Sequence, residues 1–217
     1  MFAELNGIRL YYEVRGQGRP LILLHGNGED HSIFTEAADL LQTQFTCYLV
    51  DSRGHGQSSP VEVFHYEDMA EDMVRLLEAL DLRDAVFYGF SDGGIVGLLA
   101  AARCDRITTL ITSGANLTPK GVKLPIRLLI RVLYAFKKDP KLSLMLREPD
   151  IGEALLGKIS AKTLVLAGSK DLILEAETRR IAAGIPGAEL RILPGEDHGS
   201  YIIHQTKIGE IIRDFAG

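Results

Sequence analysis

One serine, Ser91, stands in a sequence context that suits nucleophilic chemistry. It lies in G-F-S-D-G, with Gly89 and Gly93 two residues to either side, after the apolar run A-V-F-Y and before I-V-G-L-L-A-A-A. Gly93 and Gly94 would each weaken a first helical turn by up to about 1 kcal/mol relative to Ala, so simple helix capping by Ser91 does not explain them. A tight turn between a strand and a helix does explain them, because a Cβ atom would clash there. Ser91 is therefore predicted to be a nucleophile.

A serine hydroxyl needs a base, and the base needs an acid that orients it. His198 is the predicted base among six histidines, because E-D-H-G-S places it in a polar loop after the strand-like run E-L-R-I-L. Asp171 is the predicted acid, since it follows L-V-L-A-G-S-K at the expected carboxyl end of a strand, where functional groups gather in open α/β sheets. Asp150 and Glu175 are more distant alternatives. Asp197 is disfavoured because adjacent side chains in a loop seldom face each other.

Acyl transfer also requires two N–H donors for the oxyanion of the tetrahedral intermediate. The main-chain N–H of Asp92 is one candidate, because it lies at a helix N-terminus, where the helix dipole favours negative charge. The second candidate is the N–H of Asn27 in H-G-N-G, directly after the strand-like run L-I-L-L. A plain turn at the end of a strand is the alternative for H-G-N-G.

Strand-length apolar runs alternate with segments of helical period, which predicts βα units around a mostly parallel sheet. The predicted strands include 21–24, 47–50, 85–88, 110–112 and 164–167, and the predicted helices include 36–42, 68–80, 94–103 and 175–183. The opening segment differs, because Asn6-Gly7 between two alternating stretches predicts an antiparallel hairpin.

Residues 115–160 contain no clear strand and are predicted to be a helical cap inserted into a single domain that spans 1–217. Ile126, Leu129, Ile130, Leu133 and Phe136 are assigned to one helical face, and Arg127, Arg131 and Lys138 to another. Seven Lys or Arg and a single acid, Asp139, occur between positions 120 and 141. A helix packed on the domain with a solvated charged face, a lid over a site and a membrane-surface helix all remain open interpretations.

The composition indicates an ordinary folded domain, with 46% hydrophobic and 24% charged residues. The net charge of −5 gives no electrostatic reason to expect nucleic acid. The N-terminus lacks the features of a signal peptide and no long apolar run occurs, so a cytoplasmic location without stable membrane insertion is expected. Cys47 and Cys104 have no disulfide framework or metal-ligand spacing and are expected to be buried, reduced thiols. The oligomeric state is left open.

Together these motifs resemble the α/β-hydrolase family over nearly the whole chain. The matching stretches are L-L-H-G-N-G, D-S-R-G-H-G-Q-S, G-F-S-D-G, G-S-K-D and E-D-H-G, and the family order of nucleophile, acid and base is met by Ser91, Asp171 and His198. The resemblance implies an eight-stranded sheet with an antiparallel second strand, helices on both faces, and a cap after the sixth strand. It also implies a covalent acyl-enzyme route. The family often has Met or Gln after the nucleophile, whereas this chain has Asp92.

The predicted function is hydrolysis of a small carboxylic ester by a serine hydrolase that requires no metal or organic cofactor. One alternative keeps the three residues but cleaves a carbon–carbon bond, or acts as a lyase, on an anionic substrate attracted by the basic cap. Another alternative is a non-catalytic binding module on a hydrolase scaffold. The expected partner is a small-molecule substrate.

Overall fold

The computed structural model describes all 217 residues and contains one eight-stranded sheet. Its strands are β1 (Phe2–Leu5), β2 (Ile8–Arg15), β3 (Arg19–Leu24), β4 (Phe45–Val50), β5 (Ala85–Phe90), β6 (Ile107–Ser113), β7 (Lys162–Gly168) and β8 (Glu189–Leu193). Its α-helices are α1 (Thr35–Leu41), α2 (Tyr66–Ala79), α3 (Asp92–Ala101), α4 (Leu124–Lys137), α5 (Pro140–Arg147), α6 (Glu153–Leu156), α7 (Glu175–Gly184) and α8 (Lys207–Ala216).

The strands follow the order β1-β2-β4-β3-β5-β6-β7-β8. β2 runs antiparallel to both of its neighbours, and every other pair is parallel. The hairpin between β1 and β2 turns at Asn6 (φ 50°) and Gly7 (φ 78°), the left-handed pair that a tight hairpin turn requires. The predicted α/β class and the antiparallel second strand are confirmed.

The sheet separates two apolar cores, which explains the continuous apolar runs of its central strands. In β3, Leu21 and Leu23 face the core that contains the buried residues of α1 and α8. Ile22 and Leu24 face the opposite core, which contains those of α2, α3 and α7. Each of the five strands predicted from such runs is present, and the four predicted helices begin and end within two residues of the expected positions.

Three helices, α4 to α6, lie between β6 and β7, in the segment predicted to be an inserted cap. The predicted apolar face of α4 is wrong in part. Ile130 is buried, but Leu129 and Phe136 are 54% and 85% exposed and point away from the protein. Spacings of three and four residues select more than one stripe on a helix that is apolar around most of its circumference, and packing decides which stripe turns inward. The division into one domain with a cap at 115–160 stays a prediction.

Both cysteines are buried free thiols, as expected. Burial raises the pKa of the Cys47 thiol to about 12, so this side chain is held in its unreactive, protonated form. The helices of the structure include none with the length and apolarity that crossing a membrane requires.

Candidate active site

Ser91 occupies the junction between β5 and α3, in a strained backbone conformation with φ 53° and ψ −114°. Gly93 is required by close approach, because a Cβ at this position would lie 2.2 Å from the carbonyl oxygen of Leu24 and 2.7 Å from that of His25. The junction therefore packs directly on the chain that leaves β3. Strain of this kind persists only where the surrounding structure enforces it, and it presents the serine side chain at the sheet edge.

Ser91, His198 and Asp171 form one hydrogen-bonded series. The Nε2 of His198 lies 3.0 Å from the Oγ of Ser91, and its Nδ1 lies 2.7 Å from the Oδ1 of Asp171. The same Asp171 oxygen accepts a 2.9 Å hydrogen bond from the main-chain N–H of Ile173. The Asp171 side chain is only 2% exposed. The carboxylate therefore fixes the imidazole with Nδ1 protonated, which leaves Nε2 free to accept the serine proton.

The His198 imidazole is held on two sides by its surroundings. Its ring centroid lies 4.9 Å from that of Phe90, the last residue of β5. On another side it contacts Gly114, which has φ +64° and where an added Cβ would come within 2.7 Å of the imidazole Cε1. These contacts limit ring rotation, so the base stays aligned with both hydrogen-bond partners.

Asn27 and Asp92, the two residues whose main-chain N–H groups are predicted to hold the oxyanion, line the same cavity as Ser91. Neither group donates to an acceptor in the protein, although the neighbouring amides of Gly26 and Gly28 do. An oxyanion needs such N–H donors free of internal acceptors, and the assignment of these two groups to it stays a prediction.

The Asp92 side chain is buried and connects two parts of the site. Its Oδ2 accepts a 2.8 Å hydrogen bond from the Nδ2 of Asn27, and its Oδ1 accepts a 2.8 Å hydrogen bond from the Tyr66 hydroxyl on α2. Burial raises the pKa of the Asp92 carboxyl, and the two hydrogen bonds act in the opposite direction. The side chain thus ties the residue after Ser91 to the loop that carries the other N–H group.

Two histidines fasten the loop at 25–28. The Nε2 of His25 accepts from the Ser52 N–H, and its Nδ1 lies 2.7 Å from the Gly26 carbonyl oxygen. The Nε2 of His55 accepts a 3.2 Å hydrogen bond from the Gly28 N–H. Burial lowers the pKa of both imidazoles, to about 4 for His55, so both are neutral at pH 7 and act as hydrogen-bonding braces.

Glu29 is a site residue that the sequence did not indicate. Its Oε2 accepts a 2.9 Å hydrogen bond from the Gly26 N–H, and its side chain lines the cavity together with Ser91 and His198. Burial raises the pKa of the Glu29 carboxyl. A glutamate in a loop carries no local signal of such a position, which arises only when the loop folds over the sheet edge.

The cavity in front of Ser91 has a volume of about 190 Å³. Its hydrophobic lining consists of Tyr66, Phe90, Val122, Ile126, Met145, Leu172 and Ile173. Its acidic lining residues are Glu29, Asp92 and Glu148, and no Lys or Arg lines it. The segment between β6 and β7, which contains α4 to α6, is called the insert below. Ile126 belongs to α4 and Met145 to α5, so helices of the insert cover this site.

The alternative acids lie elsewhere. Asp197 accepts hydrogen bonds from the main-chain N–H groups of Gly199 and Ser200, and Glu175 forms an ion pair with Arg179 within α7. Asp150 borders a separate groove on the insert. Asp171 is therefore the acid that contacts His198.

One cluster has the residue types of a cation site, namely Asp30, His31 and Asp51. Their donor atoms are already used within the fold: Asp51 accepts from the N–H and Nδ1 of His31 and from the Gln57 N–H, and Asp30 accepts from the Ser32 N–H. These contacts stabilise the turn at 51–58 and connect it to the segment at 30–32.

Comparison with known proteins agrees with the geometry. A relative from Bacillus subtilis, "AB hydrolase superfamily protein YisY", is 28% identical, with 96% of each chain covered. Mouse "Serine hydrolase BPHL" is 26% identical over 97% of this chain and 84% of its own length. The crystal structure of an enol-lactonase from Burkholderia xenovorans superimposes with a TM-score of 0.82 at 22% identity, covering 100% of this chain and 99% of that one.

The family model for the alpha/beta hydrolase fold matches residues 19–129, from β3 into α4. This range includes the H-G-N-G loop, Ser91 and Asp92. With the sheet order, the strained junction at Ser91 and the match of more than half the chain, the protein belongs to the α/β-hydrolase fold family.

Proposed function

We propose that this protein hydrolyses small carboxylic esters, with Ser91 as nucleophile, His198 as general base and acid, and Asp171 as the orienting carboxylate. The observation that carries the proposal is the series of hydrogen bonds of 2.7 Å and 3.0 Å that joins these three side chains at a strained serine. The relatives named as hydrolases support it, as does a pimeloyl-[acyl-carrier protein] methyl ester esterase of Vibrio cholerae that is 34% identical over 49% of this chain and 41% of its own.

In the proposed reaction, the Ser91 oxygen attacks the ester carbonyl carbon while the Nε2 of His198 takes the hydroxyl proton. The negative charge that develops on the carbonyl oxygen is stabilised by the N–H groups of Asn27 and Asp92. Collapse of the intermediate breaks the bond to the alcohol, which leaves with the proton from His198. Water then attacks the acyl-serine and gives a proton to the same nitrogen. Collapse of this second intermediate breaks the bond to the Ser91 oxygen, which takes the proton back from His198 as the carboxylic acid is released. Asp171 stays ionised throughout.

The charges around the cavity favour an ester that carries no negative charge. Three carboxyl groups line the cavity, and the basic residues of the insert do not. An anionic substrate would meet like charges at short range in a partly desolvated site, where such repulsion is strong. The lining therefore gives no support to an anionic carbon–carbon cleavage substrate.

The test combines labelling and turnover in the purified protein. We expect a fluorophosphonate probe to label Ser91, identified by peptide mass spectrometry, and Ser91→Ala to abolish both labelling and turnover of p-nitrophenyl butyrate. Ser32→Ala removes a serine outside the cavity and should change neither. Turnover that survives Ser91→Ala would disprove the assignment, and folded protein that neither labels nor turns over would favour a binding module.

Substrate charge can be tested with a matched pair of esters. p-Nitrophenyl butyrate and p-nitrophenyl hemisuccinate share a leaving group and a four-carbon acyl chain, but only the second carries a carboxylate. We expect kcat/KM to be at least about tenfold higher for the butyrate, since one like-charge contact at an effective dielectric near 20 is worth more than about 1.4 kcal/mol. Equal values would contradict the electrostatic argument. The absence of nucleic-acid binding and the cytoplasmic location stay predictions.

A further inference from the structure

The solvent-facing side of α4 is apolar. Five large apolar side chains of this helix are about half exposed or more: Leu124 at 55%, Leu128 at 49%, Leu129 at 54%, Val132 at 53% and Phe136 at 85%. At 100° per residue they fall within an arc of about 140°. They are five of the eleven exposed large hydrophobic residues in the chain. A contiguous exposed apolar patch of this kind marks a surface that binds a partner.

A cationic groove lies beside this apolar face. Lys120, Arg127, Arg131 and Arg147 line it, and Asp150 is its one acidic residue. Its volume is about 480 Å³. The groove is therefore large enough to admit a phosphate group and carries an excess of positive charge.

The arginines of the groove are exceptional in this protein. Twelve of the fifteen arginines form ion pairs with carboxylates. The other three, Arg127, Arg131 and Arg147, form none, and all three line this groove. Guanidinium groups match the oxygens of a phosphate with paired N–H donors, so three unpaired arginines in one groove suit a phosphate-bearing ligand.

We propose that the outer face of the insert docks on an anionic phospholipid surface. The apolar side chains of α4 enter the boundary between headgroups and acyl chains, and the groove binds a lipid phosphate. An apolar helix face flanked by Lys and Arg is the pattern of helices that lie in the membrane interface. Docking of this kind places a helix on the bilayer surface and requires no membrane-spanning segment.

The distribution of charge favours a lipid surface over a second copy of the chain. Positions 120–141 hold seven cations and one acid within a protein of net charge −5. A symmetric dimer through α4 would bring two such cationic segments together, whereas an anionic bilayer attracts the insert and repels the rest of the molecule. Docking therefore has one preferred orientation.

The inward side of the same helices lines the cavity of Ser91, through Ile126 on α4 and Met145 on α5. The insert would thus lie between the cavity and the bilayer. The docking proposal does not depend on the ester-hydrolase proposal, because binding to vesicles is measured without turnover.

Vesicle flotation with purified full-length protein tests the proposal. We expect the protein to float with vesicles of phosphatidylcholine containing about 30% phosphatidylglycerol, and not with pure phosphatidylcholine. Raising the salt from about 0.15 M to about 1 M should release most of it, because the Debye length falls from about 8 Å to about 3 Å.

Two sets of substitutions separate the two parts of the surface. The groove set removes three cations: Arg127→Gln, Arg131→Gln and Arg147→Gln. It should lower the partition coefficient between vesicles and water roughly a hundredfold, since each cation near such a surface contributes about fivefold. The apolar set makes the outer face of α4 polar: Leu128→Gln, Val132→Gln and Phe136→Gln. It should lower the partition coefficient at least about tenfold. The control set removes three exposed, ion-paired arginines outside the insert: Arg75→Gln, Arg83→Gln and Arg179→Gln. It should leave the partition coefficient within about twofold of the wild-type value.

Circular dichroism and the melting temperature check that each variant is folded. The proposal is wrong if folded wild-type protein does not float with anionic vesicles, or if the control set loses binding as the groove set does. It is also wrong if the protein ignores vesicles but binds inorganic phosphate alone, or if the apolar set instead converts a dimer to a monomer. The proposal is likewise wrong if the purified protein does not bind vesicles but binds an acidic protein.

Discussion

Replacing Asp92 tests whether its buried carboxylate holds the Asn27 loop in place. In the Asp92→Ala variant, the Tyr66 hydroxyl loses its acceptor, and the Asn27 side-chain amide keeps only the carbonyl oxygen of Lys141 at 3.4 Å. An unsatisfied buried donor costs about 1–3 kcal/mol. Tyr66 is only 2% exposed and should incur this cost, whereas Asn27 is half-buried and can turn to water. We therefore expect the free energy of unfolding to fall by about 2–3 kcal/mol.

The same substitution should slow turnover. Loss of one oxyanion donor typically lowers kcat by about 10²–10³. Because Asp92→Ala loosens Asn27 without removing its N–H, we expect a smaller decrease in kcat, about tenfold to a hundredfold. Asp92→Asn keeps one oxygen that can accept from Asn27 and an amide that can donate to the Tyr66 oxygen, so it should retain most of the stability and stay within about tenfold in kcat.

Urea denaturation at pH 7 and initial rates with p-nitrophenyl butyrate measure the two effects. Tyr66→Phe is the matched control, since it removes one donor and leaves the contact between Asp92 and Asn27. It should change the free energy of unfolding while kcat stays within about threefold. If Asp92→Ala lost stability but kept its kcat, the carboxylate would not be positioning Asn27. If it lost neither, the hydrogen-bond argument itself would be refuted.

Three further predictions concern the fold that supports the site. Gly93→Ala should lose several kcal/mol of stability together with turnover, because its Cβ would lie 2.2 Å from a carbonyl oxygen at the end of β3; soluble expression and urea denaturation check this. Asp72→Ala should lower the free energy of unfolding by about 3–5 kcal/mol, since it leaves Arg53 buried without its main partner; Asp68→Ala removes the 51% exposed partner and should cost less than about 1 kcal/mol. Burial lowers the pKa of His55 from 6.5 to about 4, so the stability that depends on the neutral imidazole is present above pH 6.5 and is lost as the pH falls towards 4. Urea denaturation across this range should show a steeper fall for the wild type than for His55→Gln, and equal slopes would contradict it.

The residues of the candidate site that the sequence indicated are those whose chemistry demands a residue type at a characteristic place. Ser91 stands out because the glycines beside it are unfavourable in an ordinary helix start. His198 and Asp171 follow because each lies in the loop after a strand, and parallel strands bring their carboxyl ends to one edge of the sheet. The structure then places these side chains within hydrogen-bond distance of one another.

Other site residues are specified by long-range contacts and leave no local pattern. Tyr66 lies in the first turn of α2 and reaches Asp92, 26 residues later, because α2 and α3 pack on the same face of the sheet. Glu29 belongs to a loop, and Gly114 follows β6 as one glycine among 22. Their positions depend on how separate elements pack together, which hydrophobic periodicity does not encode.

In the insert, too, periodicity does not encode how a helix packs, and here the difference bears on function. Periodicity correctly indicates a helix in this segment, but the rule that apolar residues turn inward assigns Leu129 and Phe136 to the wrong side. Burying one large apolar side chain stabilises a protein by roughly 1.5–3 kcal/mol relative to leaving it exposed, so five such side chains on one helix face are a substantial source of association free energy. A helix that only covered the cavity would be equally served by polar residues on its outer face. The apolar residues there are explained by a second surface, and the unpaired arginines of the adjacent groove indicate that this surface is anionic.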